Sequence, residues 1–231
     1  MRNILLFLFS HHFLALTRWE IYFLRLRLTN AIFGRNRRLY RFAKSRPQPR
    51  YLNFGSGPRG RDEPTWVNID GFPAKGVHYC VDFQRPLPLP SGIFDGIFCE
   101  HVIEHFSYDD GVAVCRELYR CMGPGGVLRV IVPDAAFVMR SYFDSPDELV
   151  HRRGTSDDTP MQMVNSYFRQ RYEHQFLYDW QTLEKMLSEA GFENIRLCDF
   201  RVGFGPELLR IDDKKYEDES LYVEAQKTPA T

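Results

Sequence analysis

Hydrophobic positions change their period along the chain, and the changes mark out its parts. From Leu16 to Ile32, apolar residues (Leu16, Trp19, Phe23, Leu24, Ala31, Ile32) recur at helical spacing with Arg18, Arg25 and Arg27 between them, the pattern of an amphipathic helix. Pro47 and Pro49 interrupt it, because each proline fixes its own backbone and pushes its predecessor towards extended conformations. Beyond them, short apolar runs at 51–54, 66–69, 78–81, 96–99 and 127–132 read as strands, with a helical window over 108–121. That alternation predicts an α/β fold with a doubly wound, mostly parallel sheet. A helical patch follows Pro133-Asp134 to about residue 143. The polar stretch 144–159 has little periodicity, and 144–170 reads as a lid or insertion. Asp179 is a candidate N-cap for a helix over 180–190 with Leu183, Met186, Leu187 and Ala190 on one face, ended by Gly191. Runs at 195–200 and 221–225 read as a closing pair of strands. The expected organisation is an N-terminal helical arm over 1–46, a linker over 47–50 and one folded body over 51–231.

Charge sharpens this division. Lys+Arg and Asp+Glu both number 30 in 231 residues, yet residues 1–50 contain 11 Arg/Lys and only Glu20 as an acid. The arm is therefore strongly basic and the body correspondingly acidic. A helix with a Leu/Phe/Trp face and an arginine face fits an anionic membrane surface. It fits equally well docking on the protein's own body or a dimer contact, and less well nucleic acid or organellar targeting. The apolar run at 4–9 is stopped by His11, His12, Arg18 and Glu20, well short of the about 20 residues a spanning helix needs, and no signal-type cleavage site follows it. Five cysteines without a C-x-x-C pair indicate neither a disulfide framework nor a cysteine-rich zinc site. A reducing, cytoplasmic location follows, peripheral at a membrane if the arm binds lipid.

Candidate chemistry gathers at the predicted strand ends. The first strand runs into Asn53-Phe54-Gly55-Ser56-Gly57-Pro58, a glycine turn whose bare backbone can approach a ligand. The second ends in Asn68-Ile69-Asp70, which places a carboxylate where it can accept ribose hydroxyls. The third ends in Val81-Asp82-Phe83, an acid and an aromatic suited to an adenine amino group and ring. The fourth delivers Glu100 and His101 to the same edge. Cys99 and Cys115 read as small core residues.

This ordered set, LNFGSG, NID, VDF, FDGIFCEHVIEH and MGPGGVLRVIVPD, resembles the class I S-adenosylmethionine-dependent methyltransferases from residue 51 to about 226, in particular the subgroup with an EH-x-x-EH segment. The resemblance implies a seven-stranded Rossmann-like sheet and S-adenosyl-L-methionine as cofactor. It would put Gly55, Ser56 and Gly57 on the methionine part, Asp70 on the ribose, Asp82 and Phe83 on the adenine, and Glu100 and His101 near the sulfonium. Asn53 stands where many relatives have an acid that contacts the methionine amine. His105, His101 and His174 are candidate general bases for a hydroxyl acceptor, with ordering of the loop as the alternative role. Relatives with this segment imply O-methylation of a small-molecule, glycan or lipid-linked acceptor, and nucleic acid is disfavoured. No metal is expected for this chemistry. Two other classes stay open: a zinc hydrolase built on His101-Val102-Ile103-Glu104-His105, which spells H-x-x-E-H, and a non-catalytic protein that keeps the cofactor site. The connection from Gly57 to Trp66 is too short for a regular first helix.

Overall fold

A computed structural model describes residues 11–155, 158–170 and 173–228. The apolar run at 4–9 and Tyr172 lie outside the described residues. Seven strands form one sheet: β1 (Tyr51–Phe54), β2 (Trp66–Asp70), β3 (Tyr79–Cys80), β4 (Phe94–Glu100), β5 (Met122–Pro133), β6 (Glu193–Cys198) and β7 (Ser220–Gln226). Their order is β3-β2-β1-β4-β5-β7-β6, parallel except for β7, which is antiparallel to both neighbours. The chain leaves β1 towards β3 and then returns to lay β4 on β1's other side. This creates a switch point between the carboxyl ends of β1 and β4, the position at which open α/β sheets bind ligands.

Alternation along the strands sorts the core into two faces. Leu52, Phe54, Val67, Ile69, Ile97, Cys99, Leu128 and Val130 pack beneath helices α2 (Arg35–Ser45), α3 (Tyr108–Cys121) and α7 (Trp180–Glu189), which contribute Leu39, Ala43, Leu118, Leu183 and Met186. Trp66, Phe98, Ile131 and Tyr222 face the other way, against Leu208 of the short helix α8 (Pro206–Leu209). No helix fills the connection from Gly57 to Trp66, so that second layer is thin. Ser107 and Asp179 cap α3 and α7 by accepting from Asp110 N and Thr182 N. Burial pushes the thiols of Cys115 and Cys121 up to about 12 and that of Cys99 well up, which fits core cysteines rather than nucleophiles.

Two segments differ from the sequence expectation, and for a third the structure selects among the alternatives its sequence left open. β5 begins at Met122 rather than residue 127, because Phe94 pairs with Met122 and Gly96 with Val127, so the glycine-rich turn bulges out of a continuing strand. The polar stretch after residue 144 contains helix α5 (Pro146–Arg153), which with α4 (Ala135–Asp144) and α6 (Pro160–Arg169) buries Val138, Leu149, Met163 and Tyr167 in a small cluster of its own. The basic segment expected as an arm is packed on the body where it is described. Helix α1 (His11–Ile32) crosses the ends of β2 and β3: Tyr22 donates to Gly71 O (2.8 Å), Asn30 Nδ2 to Cys80 O (2.9 Å), and the rings of Trp19, Tyr22 and Phe23 surround Phe72. Leu39 and Ala43 of α2 belong to the main core. Among the described residues no helix is long and apolar enough to cross a membrane.

Candidate active site

The glycine turn is built by two residues in the left-handed region, Gly55 (φ 74°) and Gly57 (φ 49°). Gly55 N and Ser56 N both donate to Ile69 O, which draws the turn over the end of β2. Asp70 completes it: Oδ2 accepts from Gly57 N and Oδ1 from Phe72 N, each at 2.8 Å. A carboxylate oxygen accepts more than one hydrogen bond, so both oxygens keep capacity for ribose hydroxyls. A Cβ at Gly57 would meet nothing within 4 Å, so the turn faces open space there. A Cβ at Gly55 would drive into Val102 Cγ2, just beyond β4. Gly55→Ala is therefore expected to lose about 1–2 kcal/mol from the backbone conformation alone, more from the clash, and cofactor binding with it. Urea unfolding and a cofactor-product titration check this together.

Other predicted residues already have partners. Asn53 is buried and donates through Nδ2 to Arg59 O (3.3 Å), holding the turn from beneath. Asp82 accepts from Arg27 Nη1 of α1 (2.8 Å) and from Gln84 N (3.0 Å). Phe83 stacks on Phe54 with ring centres 3.9 Å apart. Glu100 pairs with Arg59 and accepts from Asp213 N (3.1 Å); burial raises its pKa despite Arg59. Arg59 also reaches Asp213 Oδ2 (2.9 Å), so it spans the turn, β4's exit and the loop before β7. The pairing of Arg27 and Arg59 with strand-end acids has no signature in the sequence, because only the fold brings their cations there.

At the exit of β4 the backbone turns sharply. His101 has φ 53°, rare for a side-chain-bearing residue, and its ring nitrogens meet Glu104 Oε1 (3.1 Å) and Ser220 Oγ (3.2 Å) while its ring packs on Tyr216. Ile103–His105 is a single 3-10 turn, not the sustained helix an H-x-x-E-H hydrolase needs. Glu104 is fully buried; burial alone would raise its pKa, but the hydrogen bond from His101 and the fields of His101 and His105 hold it below the ordinary carboxylate value. His174 arrives from the segment after α6, with Nδ1 on Tyr167 O (2.7 Å) and its ring 5.0 Å from that of His105. Burial lowers its pKa and favours neutral imidazole. Thus the three candidate histidines do converge, around a glutamate.

A glycine turn at the switch point, acids on the next two strand ends and a histidine cluster beyond the fourth thus lie along one edge of the sheet. Residues 27–197 match the family model of a methyltransferase domain, and the chain belongs to that family. It is an S-adenosylmethionine-dependent methyltransferase. Among curated proteins none matches. Among solved structures the chain is similar to an S-adenosylmethionine-dependent methyltransferase from Archaeoglobus fulgidus (15% identity, 86% of this chain and 94% of that one, TM-score 0.47). It is also similar to phosphoethanolamine N-methyltransferase 2 from Haemonchus contortus, solved in complex with S-adenosyl-L-methionine (15% identity, 85% and 53%, TM-score 0.47).

Proposed function

We propose that this methyltransferase acts on a hydroxyl oxygen of a small-molecule, glycan or lipid-linked acceptor. The observation that carries this reading is the Glu104–His105–His174 cluster beyond β4, on the side of the switch point away from Asp70 and Asp82. A hydroxyl at neutral pH is a weak nucleophile and gains from a group that takes or weakens its proton as the methyl carbon approaches. The residues present fit the cofactor. The turn has room at Gly57, Ser56 Oγ is buried without a hydrogen-bond partner among the described residues, and Asp70 retains acceptor capacity.

When bound, S-adenosylmethionine supplies a methyl group activated by its sulfonium. The chain's own residues bind and align. Asp70 would take the ribose hydroxyls, and Gly55, Ser56 and Gly57 the methionine part with Asn53 beneath. Asp82 and Phe83 would border the adenine, and Glu100 with His101 the sulfonium side. His101, held by Glu104, Ser220 and Tyr216, acts as a positioning residue. Helices α5 and α6, within the 144–170 segment expected as a lid, would with α4 wall the acceptor side, since Tyr167 of α6 holds His174. Incubation with methyl-labelled cofactor and a panel of hydroxyl and amine acceptors tests the reading. Label in an ether supports it, and label confined to amines contradicts it.

The outward face of α1 supports a membrane-surface role. Ile21, Leu24, Leu28 and Ile32 are exposed along the helix beside Arg25, with Arg35, Arg37 and Arg38 following. Such a stripe is suited to the lipid interface. Leu24→Ser with Leu28→Ser is expected to abolish co-sedimentation of the full chain with anionic phospholipid vesicles and leave cofactor affinity unchanged.

A further inference from the structure

Glu104 has a property that methyl transfer alone does not account for. Its side chain is wholly buried, Oε1 faces His101 Nδ1, and Oε2 has no hydrogen-bond partner among the described residues. A carboxylate oxygen buried without a donor is costly, and native proteins rarely keep one idle. Two imidazoles stand beside it. One ligand-type atom from each of Glu104, His105 and His174 lies within 4.8 Å of the others, and His174 Nε2 is 4.0 Å from Glu104 Oε1.

The two histidines are oriented in the same way. His105 Nδ1 is 3.1 Å from Glu173 O and His174 Nδ1 2.7 Å from Tyr167 O. A carbonyl can only accept, so each Nδ1 carries a proton, which leaves Nε2 as the ring atom whose lone pair can bind an ion. Imidazoles that bind metals are held by this outer bond, from the other ring nitrogen to a carbonyl or carboxylate. The two stretches that bear the three side chains are also stapled together: Gln175 N and Phe176 N donate to Glu104 O (2.9 and 3.2 Å), and Gln175 Nε2 donates to His105 O (2.9 Å). Two imidazole nitrogens and one carboxylate form the donor set of open, catalytic divalent-metal sites.

We propose that Glu104, His105 and His174 bind a divalent first-row transition ion, Zn2+ in the first instance, whose open positions take hydroxyl oxygens of the acceptor. Ligand bonds of about 2.0–2.2 Å require the three atoms to close by roughly an ångström, a side-chain adjustment. The ion would lower the pKa of the bound hydroxyl. Its proton leaves to solvent, the oxygen lone pair forms the bond to the methyl carbon, and the C–S bond breaks with its electron pair kept on sulfur. The products are a methyl ether and the neutral thioether S-adenosylhomocysteine. A vicinal diol, as on a sugar, would chelate the ion through two oxygens and present one of them for methylation. The acceptor half of this inference rests on the O-methylation reading; the ion half stands on the side chains alone. The set differs from the H-x-x-E-H reading, since His101 is turned to Glu104 and Ser220 and His174 takes its place.

The test uses the full chain stripped with a chelator and titrated with CoCl2, read by visible absorption, and with ZnCl2, read by calorimetry. S-adenosylhomocysteine is titrated in parallel. One equivalent of either ion is expected to bind to the wild type and raise its thermal midpoint. Glu104→Gln and His174→Gln are expected to bind at least tenfold more weakly with no such rise. Because Glu104 is fully buried, His105→Gln at a half-buried position is the third variant, accepted once it shows a cooperative thermal transition. Wild-type protein that binds neither ion overturns the site, as does ion binding that survives in the folded variants. Wild-type protein that binds S-adenosylhomocysteine but neither ion overturns the metal site alone. Ion binding without S-adenosylhomocysteine binding supports the metal site and contradicts the methyltransferase reading.

Discussion

Arg129→Met is expected to destabilise the protein by about 3–5 kcal/mol, more than any other single exposed or buried polar change considered above. Arg129 sits on β5 with a wholly buried side chain, opposite Glu224 of β7. Its guanidinium forms a two-pronged pair with Asp212 (2.7 and 2.5 Å), reaches Glu224 Oε1 (3.3 Å) and donates to the carbonyls of Asp199 and Val202. Burial works against its charge, but the bonds and fields of Asp212 and Glu224 prevail and raise its pKa. Removing the cation leaves two buried carboxylates without their partner, and an unpaired buried charge costs far more than the pair itself contributes. For a domain of this size the loss corresponds to a midpoint lower by about 10 °C. Thermal and urea unfolding measure it. A variant that also replaces Asp212 and Glu224 with leucine should recover much of the stability, because the penalty comes from the stranded acids. A loss below about 1 kcal/mol would contradict this account of the buried pair. The effect extends to the site, since residue 213, next to Asp212, supplies the N–H on Glu100 and the carboxylate on Arg59.

The second large effect concerns binding. Asp70→Ala is expected to weaken S-adenosylhomocysteine at least about 100-fold while costing only about 1–2 kcal/mol in folding stability. Two ribose hydroxyls on one carboxylate make two charge-assisted bonds, each contributing about 1.5–3 kcal/mol. The same carboxylate holds Gly57 N and Phe72 N, so its loss also loosens the turn proposed above to take the methionine part. Dissociation constants of the variant and the wild type, with unfolding curves of both, separate the two contributions. A variant that binds like the wild type would remove Asp70 from the site.

Much of the fold was legible because it is written locally. The strands at 51–54 and 66–69 and the helices at 108–121 and 180–190 have apolar positions at their own period, with Asp179 as the cap of the second helix. The strand-end acids were legible because a parallel sheet puts the residue after each strand on one edge. What was not legible depends on distant partners. The periodicity of α1 indicates a helix but cannot say what its arginines meet, and Arg27 finds Asp82 some 55 positions along. The helix at 146–153 was hidden because its core contribution is essentially Leu149, buried against Val138, Met163 and Tyr167 from other helices. His105 and His174 were each visible as candidates, while their meeting over Glu104 depends on residues 68 and 70 apart pairing across the loop. The left-handed backbone of His101, which turns it out of the H-x-x-E-H pattern, leaves no signature in the spelling of that segment.

The switch point between the carboxyl ends of β1 and β4 is expected to hold S-adenosylmethionine. Calorimetric titration of the full-length wild-type protein with S-adenosylhomocysteine tests it most directly. Saturable binding with one site per chain is the predicted result. Absence of saturable heat from protein that unfolds cooperatively would contradict the account.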